Sequence, residues 1–183
     1  MIIYLWLFTI VLGCKNPEPE TYLIPDGFKG TVNVIFNQTK GEPPRYENGR
    51  RIYEIPANGI LLTQFKDEYG IIDHEYYYVK HNGNRTPLKV FKYEHTNDGT
   101  IKWLITNHHE VGIFFDGTTG AYGNGNAKYE QFRVSDYAGL DSIEAPNNFM
   151  KRVENALGTD LQPDTLNSQE LDTIEKHLDK KNH

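Results

Sequence analysis

Cysteine is almost missing from this chain. Cys14 is the single one in 183 residues, so no disulfide can form within the chain, which suits a reducing compartment or a cysteine-poor envelope protein equally. Serine is scarce too. Ser135, Ser142 and Ser168 are the only three, and none sits in the Gly-x-Ser-x-Gly turn that presents a hydrolytic nucleophile. Positive charge is thin: 19 Lys and Arg stand against 25 Asp and Glu, a net charge of −6, with a pI near 5.6. Without a basic cluster the chain is no general nucleic-acid binder. A phosphate loop is absent as well. Gly120 and Gly125 have the right separation, but Asn126 and Ala127 follow where Lys and Ser or Thr are needed. Gly123 and Gly125 lack the third glycine of a dinucleotide fingerprint. Asp116 lacks the acidic ladder of a calcium loop. There is no internal repeat. The longest apolar run, Ile2 to Leu12, is too short for a bilayer-spanning helix, which needs ~20 residues.

What is present begins with that run. It has the length of a signal-peptide apolar region and ends in Val11, Leu12, Gly13 and Cys14. It resembles a bacterial lipoprotein signal peptide with its lipobox, although the only early positive charge is the α-amino group. The resemblance implies cleavage before Cys14, acylation of its sulfur and amino group, and a membrane anchor. Each buried methylene adds ~0.8 kcal/mol to such an anchor. Lys15 to Thr21, with two prolines and two glutamates, reads as an extended tether that builds neither helix nor central strand. Residues 1–13 are thus expected as signal, 14–21 as lipidated tether, 22–145 as a β-domain and 146–183 as a helical segment.

The β-domain is read from alternation and turns. Val32, Val34 and Phe36 share one face of a strand over 31–36. Further strands are expected over 51–55, 60–65, 74–80, 88–94, 101–105 and 111–115. Asn58-Gly59, Asn82-Gly83 and Asp98-Gly99 mark turns between them. About seven short strands at this spacing indicate a mainly β protein, an antiparallel β-sandwich. The glycine-rich residues 117–126 read as a connector. Pro146 to Asn148 can start a helix with Phe149, Val153 and Leu157 on one face and Gly158 at its end. Leu171, Ile174 and Leu178 mark a second short helix.

Four segments carry a further resemblance: Ile24 to Gly30, Tyr53 to Leu61, Asp73 to Tyr78 and Gly112 to Thr118. They are similar to a family of uncharacterised bacterial lipoproteins with one domain of unknown function after the lipobox. The pattern is faintly similar to transthyretin-like and carboxypeptidase-regulatory sandwiches. These motifs are strand entries and turns, so the resemblance implies no catalytic residues. Asp141-Ser142-Ile143, Asp164-Thr165-Leu166 and Asp172-Thr173-Ile174 are similar to the O-glycosylation sequon of Bacteroidota envelope proteins, which makes Ser142, Thr165 and Thr173 candidate acceptors. Helix capping explains such residues equally well. Asn37 and Asn84 begin N-glycosylation patterns but read as turn residues.

Metal chemistry is tested on seven histidines. His74-Glu75 and His109-Glu110 begin like the zinc-peptidase helix motif, but Tyr78 and Ile113 stand where the second histidine belongs. His108 and His109 read as a solvated turn pair, so no metal site and no cofactor is expected. Asp73 and Glu75 share a strand face, a pair that matters for hydrolysis only across a cleft. The aromatic run Tyr76, Tyr77 and Tyr78 is the candidate binding surface, with core packing the plainer reading. The sequence therefore points to a non-catalytic, membrane-tethered envelope module. Its anchor is Cys14 and its partner an envelope protein or glycan, not nucleic acid. Lys15, where some lipoproteins carry a retaining Asp, and the sequon-like tripeptides point to the outer membrane. A glycan- or peptide-capturing surface protein and a hydrolase with an unrecognised acid–histidine site are the alternatives.

Overall fold

The computed structural model describes residues 16–123, 127–140 and 146–158. Period-two alternation sets its first strands. In β1 (Glu20–Pro25) Tyr22 and Ile24 face the core, and in β2 (Gly30–Ile35) Val32 and Val34 do so, with Phe36 just beyond the strand end. Ile35 points the other way, into a separate apolar cluster. Asn37 turns the chain out of β2 with φ of 58°, an angle that asparagine tolerates better than most residues.

Two five-stranded sheets result. One has the order β3 (Tyr46–Glu47), β4 (Arg50–Glu54), β1, β6 (His74–Val79), β7 (Arg85–Pro87). The other runs β5 (Ile60–Leu62), β2, β12 (Ala127–Ser135), β11 (Gly112–Tyr122), β8 (Lys89–Val90). A ribbon of β9 (Tyr93–His95) and β10 (Ile101–Trp103) is separate. The main core lies between the two sheets and draws on both, with Tyr22, Tyr53 and Tyr76 from one and Val32, Ile113 and Phe132 from the other. The mainly β sandwich expected from the sequence is what forms. Its pairing is mixed: β1 runs parallel to both β4 and β6, β2 to β5 and β11 to β8. Turn residues reveal where the chain reverses, not which strand it lies beside afterwards, so parallel partners are invisible in turn spacing.

Two expectations change. Glu20 and Thr21 do not belong to a tether; they open β1, a central strand, at 1% and 3% exposure. Glutamate is disfavoured in a strand because burial costs its charge, and here hydrogen bonds from the Tyr22 and Tyr53 hydroxyls answer that cost. The glycine-rich residues 117–122 are not a connector but the outer half of β11, paired with β12 in a hairpin. Gly120 is needed there: a Cβ at this position would lie 2.4 Å from the Tyr129 hydroxyl.

Helix α1 (Pro146–Leu157) forms as its spacing requires. Val153 is fully buried beside Ile35 and Ile60 on the outer face of the second sheet, with Phe149 and Leu157 packed around it. Gly158 ends the helix with φ of 66° and donates its N–H to the Glu154 carbonyl at 2.9 Å, the left-handed termination that glycine favours. Among the described residues no helix is long and apolar enough to cross a membrane.

Candidate functional site

At one end of the sandwich the core turns polar. The inner face of β1 reads Glu20, Tyr22, Ile24; that of β6 reads His74, Tyr76, Tyr78; that of β12 reads Glu130, Phe132, Val134. Each strand thus places an ionisable residue in phase with its core face. Register aligns them, since Glu20 pairs with His74 and with Arg51 of β4. Glu130 comes from the facing sheet. Three side chains meet there almost without solvent, Glu20 at 1%, His74 at 8% and Glu130 at 3% exposure.

The fourth member arrives by an irregularity. The β11–β12 register shifts between Phe114 and Thr118. Within that bulge Phe115 has φ of 57°, a left-handed angle that costs a bulky residue on the order of 1–3 kcal/mol. Bulges re-aim side chains, and this one carries Asp116 to His74. The Nδ1–Oδ1 distance is 2.8 Å. The Tyr76 hydroxyl donates to the same Asp116 oxygen.

On its other side His74 faces two carboxylates. Nε2 lies 3.4 Å from Glu20 Oε2 and 3.6 Å from Glu130 Oε1, within ion-pair range of both but seated in a hydrogen bond with neither. Glu130 Oε1 likewise has no hydrogen-bond partner. Glu20 is better provided. It accepts from the Tyr22 hydroxyl at 2.6 Å and from the Tyr53 hydroxyl at 3.0 Å. Those rings stack next to the site, Tyr22 lying 5.0 Å from Tyr53 and 4.9 Å from Tyr76 between centroids. Arg51 closes the row, donating to Glu18 and to the Lys66 carbonyl and pairing with Glu68.

Charge is strongly perturbed here. Burial opposes a charged His74, yet the Asp116 hydrogen bond and the Glu20 and Glu130 carboxylates outweigh it and push its pKa up to about 10. Burial pushes the Glu130 carboxyl up to about 7 against the pull of His74. Asp116 is also penalised by burial, but its bonds from His74 and Tyr76 hold it below the ordinary carboxylate range. Burial, with the carboxylates around them, keeps the Tyr22 and Tyr76 hydroxyls protonated, so they serve as donors.

A pocket of about 230 Å³ reaches Glu20 and Glu130 from outside, with Asp67, Glu68, Tyr69 and Lys128 also in its wall. His74 and Asp116 are not in its wall, so the pocket meets the site from the side of the two glutamates.

Other residues singled out in the sequence fall elsewhere. Tyr76 is a core residue at 2% exposure. Tyr78 packs against the same core and donates its hydroxyl to the Phe28 carbonyl. Tyr77 lies on the opposite face and bonds Glu75. The three rings therefore form no common platform, because alternation splits them between faces. Asp73 and Glu75 converge on Arg50, at 2.6 Å and 3.4 Å, as a surface ion-pair group and not a pair across a cleft. His108 rests on the Tyr137 ring and His109 belongs to the Asn107 turn. Cys14, Ser142, Thr165 and Thr173, and the helix expected around Leu171 to Leu178, lie outside the described residues. Of the sequence candidates His74 is at the centre of this site, and Tyr76 borders it through its bond to Asp116. Glu20, Glu130 and the pairing of Asp116 with His74 are not legible from spacing, because these residues are distant in the chain. For Glu20 and Glu130 the signal is a charged residue in phase with an apolar strand face, whereas Asp116 is delivered by the bulge.

Comparison with known proteins gives a family and a fold. The model of a family described as "Family of unknown function (DUF6843)" matches residues 16–139. No curated protein matches the chain. A crystal structure of a "Putative Lipoprotein from Bacillus anthracis" is similar at a TM-score of 0.52 and 18% identity, covering 76% of this chain and 94% of that one. At that identity the likeness is one of fold.

Proposed function

Because the chain belongs to DUF6843, a family of unknown function, we propose its role from its own residues: a lipid-anchored envelope protein whose β-sandwich is a non-catalytic binding or assembly module. One observation carries the reading. A lipobox-like run ends at Cys14, and a central strand of the sandwich begins at Glu20, so the anchor joins the fold through a few residues only. The likeness in fold to a chain named as a lipoprotein supports it. Lys15 and the sequon-like tripeptides favour the outer membrane as the anchor's place.

The non-catalytic part rests on the buried site. His74 faces carboxylates from both ring nitrogens, and the hydroxyl beside it, that of Tyr76 at 3.3 Å from Nδ1, belongs to a buried tyrosine that gives its proton in a hydrogen bond to Asp116 and is held protonated by burial. Ser135, the one serine among the described residues, is buried at 4% exposure.

Intact mass and membrane fractionation of the native protein beside a Cys14→Ala variant test the anchor. The expected native species starts at Cys14, carries acyl chains and sediments with membranes, and the variant loses the added mass. A native chain that is soluble and still begins at Met1 would overturn the proposal.

A further inference from the structure

We propose that Glu20, His74 and Glu130 bind one divalent transition-metal cation, which ties the two sheets of the sandwich together. Their donor atoms lie within 4.8 Å of one another. A cation held tetrahedrally at ~2.0–2.1 Å needs donors about 3.3–3.4 Å apart, and Nε2 stands 3.4 Å and 3.6 Å from the two carboxylates. Two of the atoms aimed at this point, His74 Nε2 and Glu130 Oε1, are buried without a hydrogen-bond partner. Buried polar atoms in a folded protein normally have one, and an orphan calls for an explanation such as an ion.

The surroundings are those of a ligand set. Asp116 accepts from His74 Nδ1 and so fixes the tautomer that leaves Nε2 free to coordinate. The Tyr22 and Tyr53 hydroxyls hold the Glu20 carboxylate in place. One imidazole with two carboxylates suits Zn²⁺, and Mn²⁺ or Co²⁺ less selectively. The pocket at Glu20 and Glu130 provides exchange and space for a water ligand. Glu20 and His74 belong to one sheet and Glu130 to the other, so the cation would be a cross-link in a chain whose single cysteine allows no disulfide. This inference is independent of the lipid anchor.

The test is calorimetric titration of the full chain, purified in detergent and stripped with EDTA, with ZnCl₂. One site per chain is expected, with a melting temperature about 5–10 °C higher at ~100 times the dissociation constant. Glu130→Gln, close in shape but a poor ligand, should weaken binding at least ~100-fold. Asp116→Asn, which touches none of the three ligands but alters the acceptor that orients His74 and Tyr76, should weaken it ~10–100-fold. A double change of His108 and His109 to Ala should leave it intact. Absence of binding and of stabilisation by Zn²⁺, Mn²⁺ and Co²⁺ in the unaltered chain overturns the proposal. So does binding that survives Glu130→Gln or vanishes with the two turn histidines.

Discussion

At the scale of the residue, the buried end of the core is a conflict between desolvation and pairing. Without a cation, Glu130 and His74 both hold protons in the folded chain that they would release when unfolded. Glu130 is raised from 4.5 to about 7 and His74 from 6.5 to about 10. The folded state therefore binds more protons across these intervals, and stability falls as pH rises through them. For His74 the gain is complete below about 6.5 and gone above about 10. For Glu130 the penalty of a buried charge sets in between about 4.5 and 7. Urea unfolding of EDTA-stripped protein should show stability decreasing from about pH 5 to pH 9. Glu130→Gln should remove the lower part of that slope and leave the stripped variant more stable than the parent at pH 8, by about 1–3 kcal/mol. A flat profile in the parent would refute this account of the charges. His74 is visible in the sequence, but the motif that His74-Glu75 begins relates it to neighbours at helical spacing. Its actual partners come from β1, β11 and β12. A strand ladder joins residues that no local motif can join, and the bulge that delivers Asp116 leaves no mark in the sequence beyond Gly117, whose φ is 71°.

At the scale of the element, legibility follows the physics of each element. Alternation revealed β2 because one of its faces is apolar and buried. The helix was legible because spacing, a proline start and a glycine stop agree, and local rules decide all three. The outer half of β11 was not, since its exposed Gly-Thr-Thr-Gly composition is that of a loop. Its pairing with β12 makes it a strand. The edge contact of the second sheet depends on a close approach. A Cβ at Gly112 would sit 2.5 Å from the Lys89 carbonyl and 2.6 Å from the Phe91 ring, and Gly112 is the residue that pairs with Lys89. Gly112→Ala should therefore push β8 off β11 and cost about 1–3 kcal/mol. Hydrogen exchange should locate the loss at Phe91, whose amide donates to the Ile113 carbonyl. Unchanged protection at that amide would show that the edge does not need the glycine.

At the scale of the whole molecule, the N-terminal entry into the fold and the buried charges are at the same place, Glu20. From Cys14 to Glu20 the chain spans at most ~20 Å, and its last part is already fixed to the domain. The Glu18 amide donates to Glu68 at 2.6 Å, and the Glu18 carboxylate takes a bond from Arg51 at 2.8 Å. The segment read as a tether is thus in its second half a part of the core. A chain beginning at Asn16 should keep the melting temperature of one beginning at Cys14. One beginning at Thr21 removes Glu18 and Glu20 together. It leaves Arg51 with Glu68 as its remaining carboxylate partner, and it takes the Glu20 acceptor from the Tyr22 and Tyr53 hydroxyls. Breaking a buried charge group on one side costs about 3–5 kcal/mol, a large part of the ~5–15 kcal/mol by which a domain is stable. Thermal melts of the two shortened chains separate the readings. If the shorter one melts with the longer, residues 18–20 are only a spacer. If it alone is destabilised, the buried end of the sandwich depends on residues 18–20, and the proposed anchor at Cys14 would pull on Glu18, held by Glu68 and Arg51, before it pulls on Glu20.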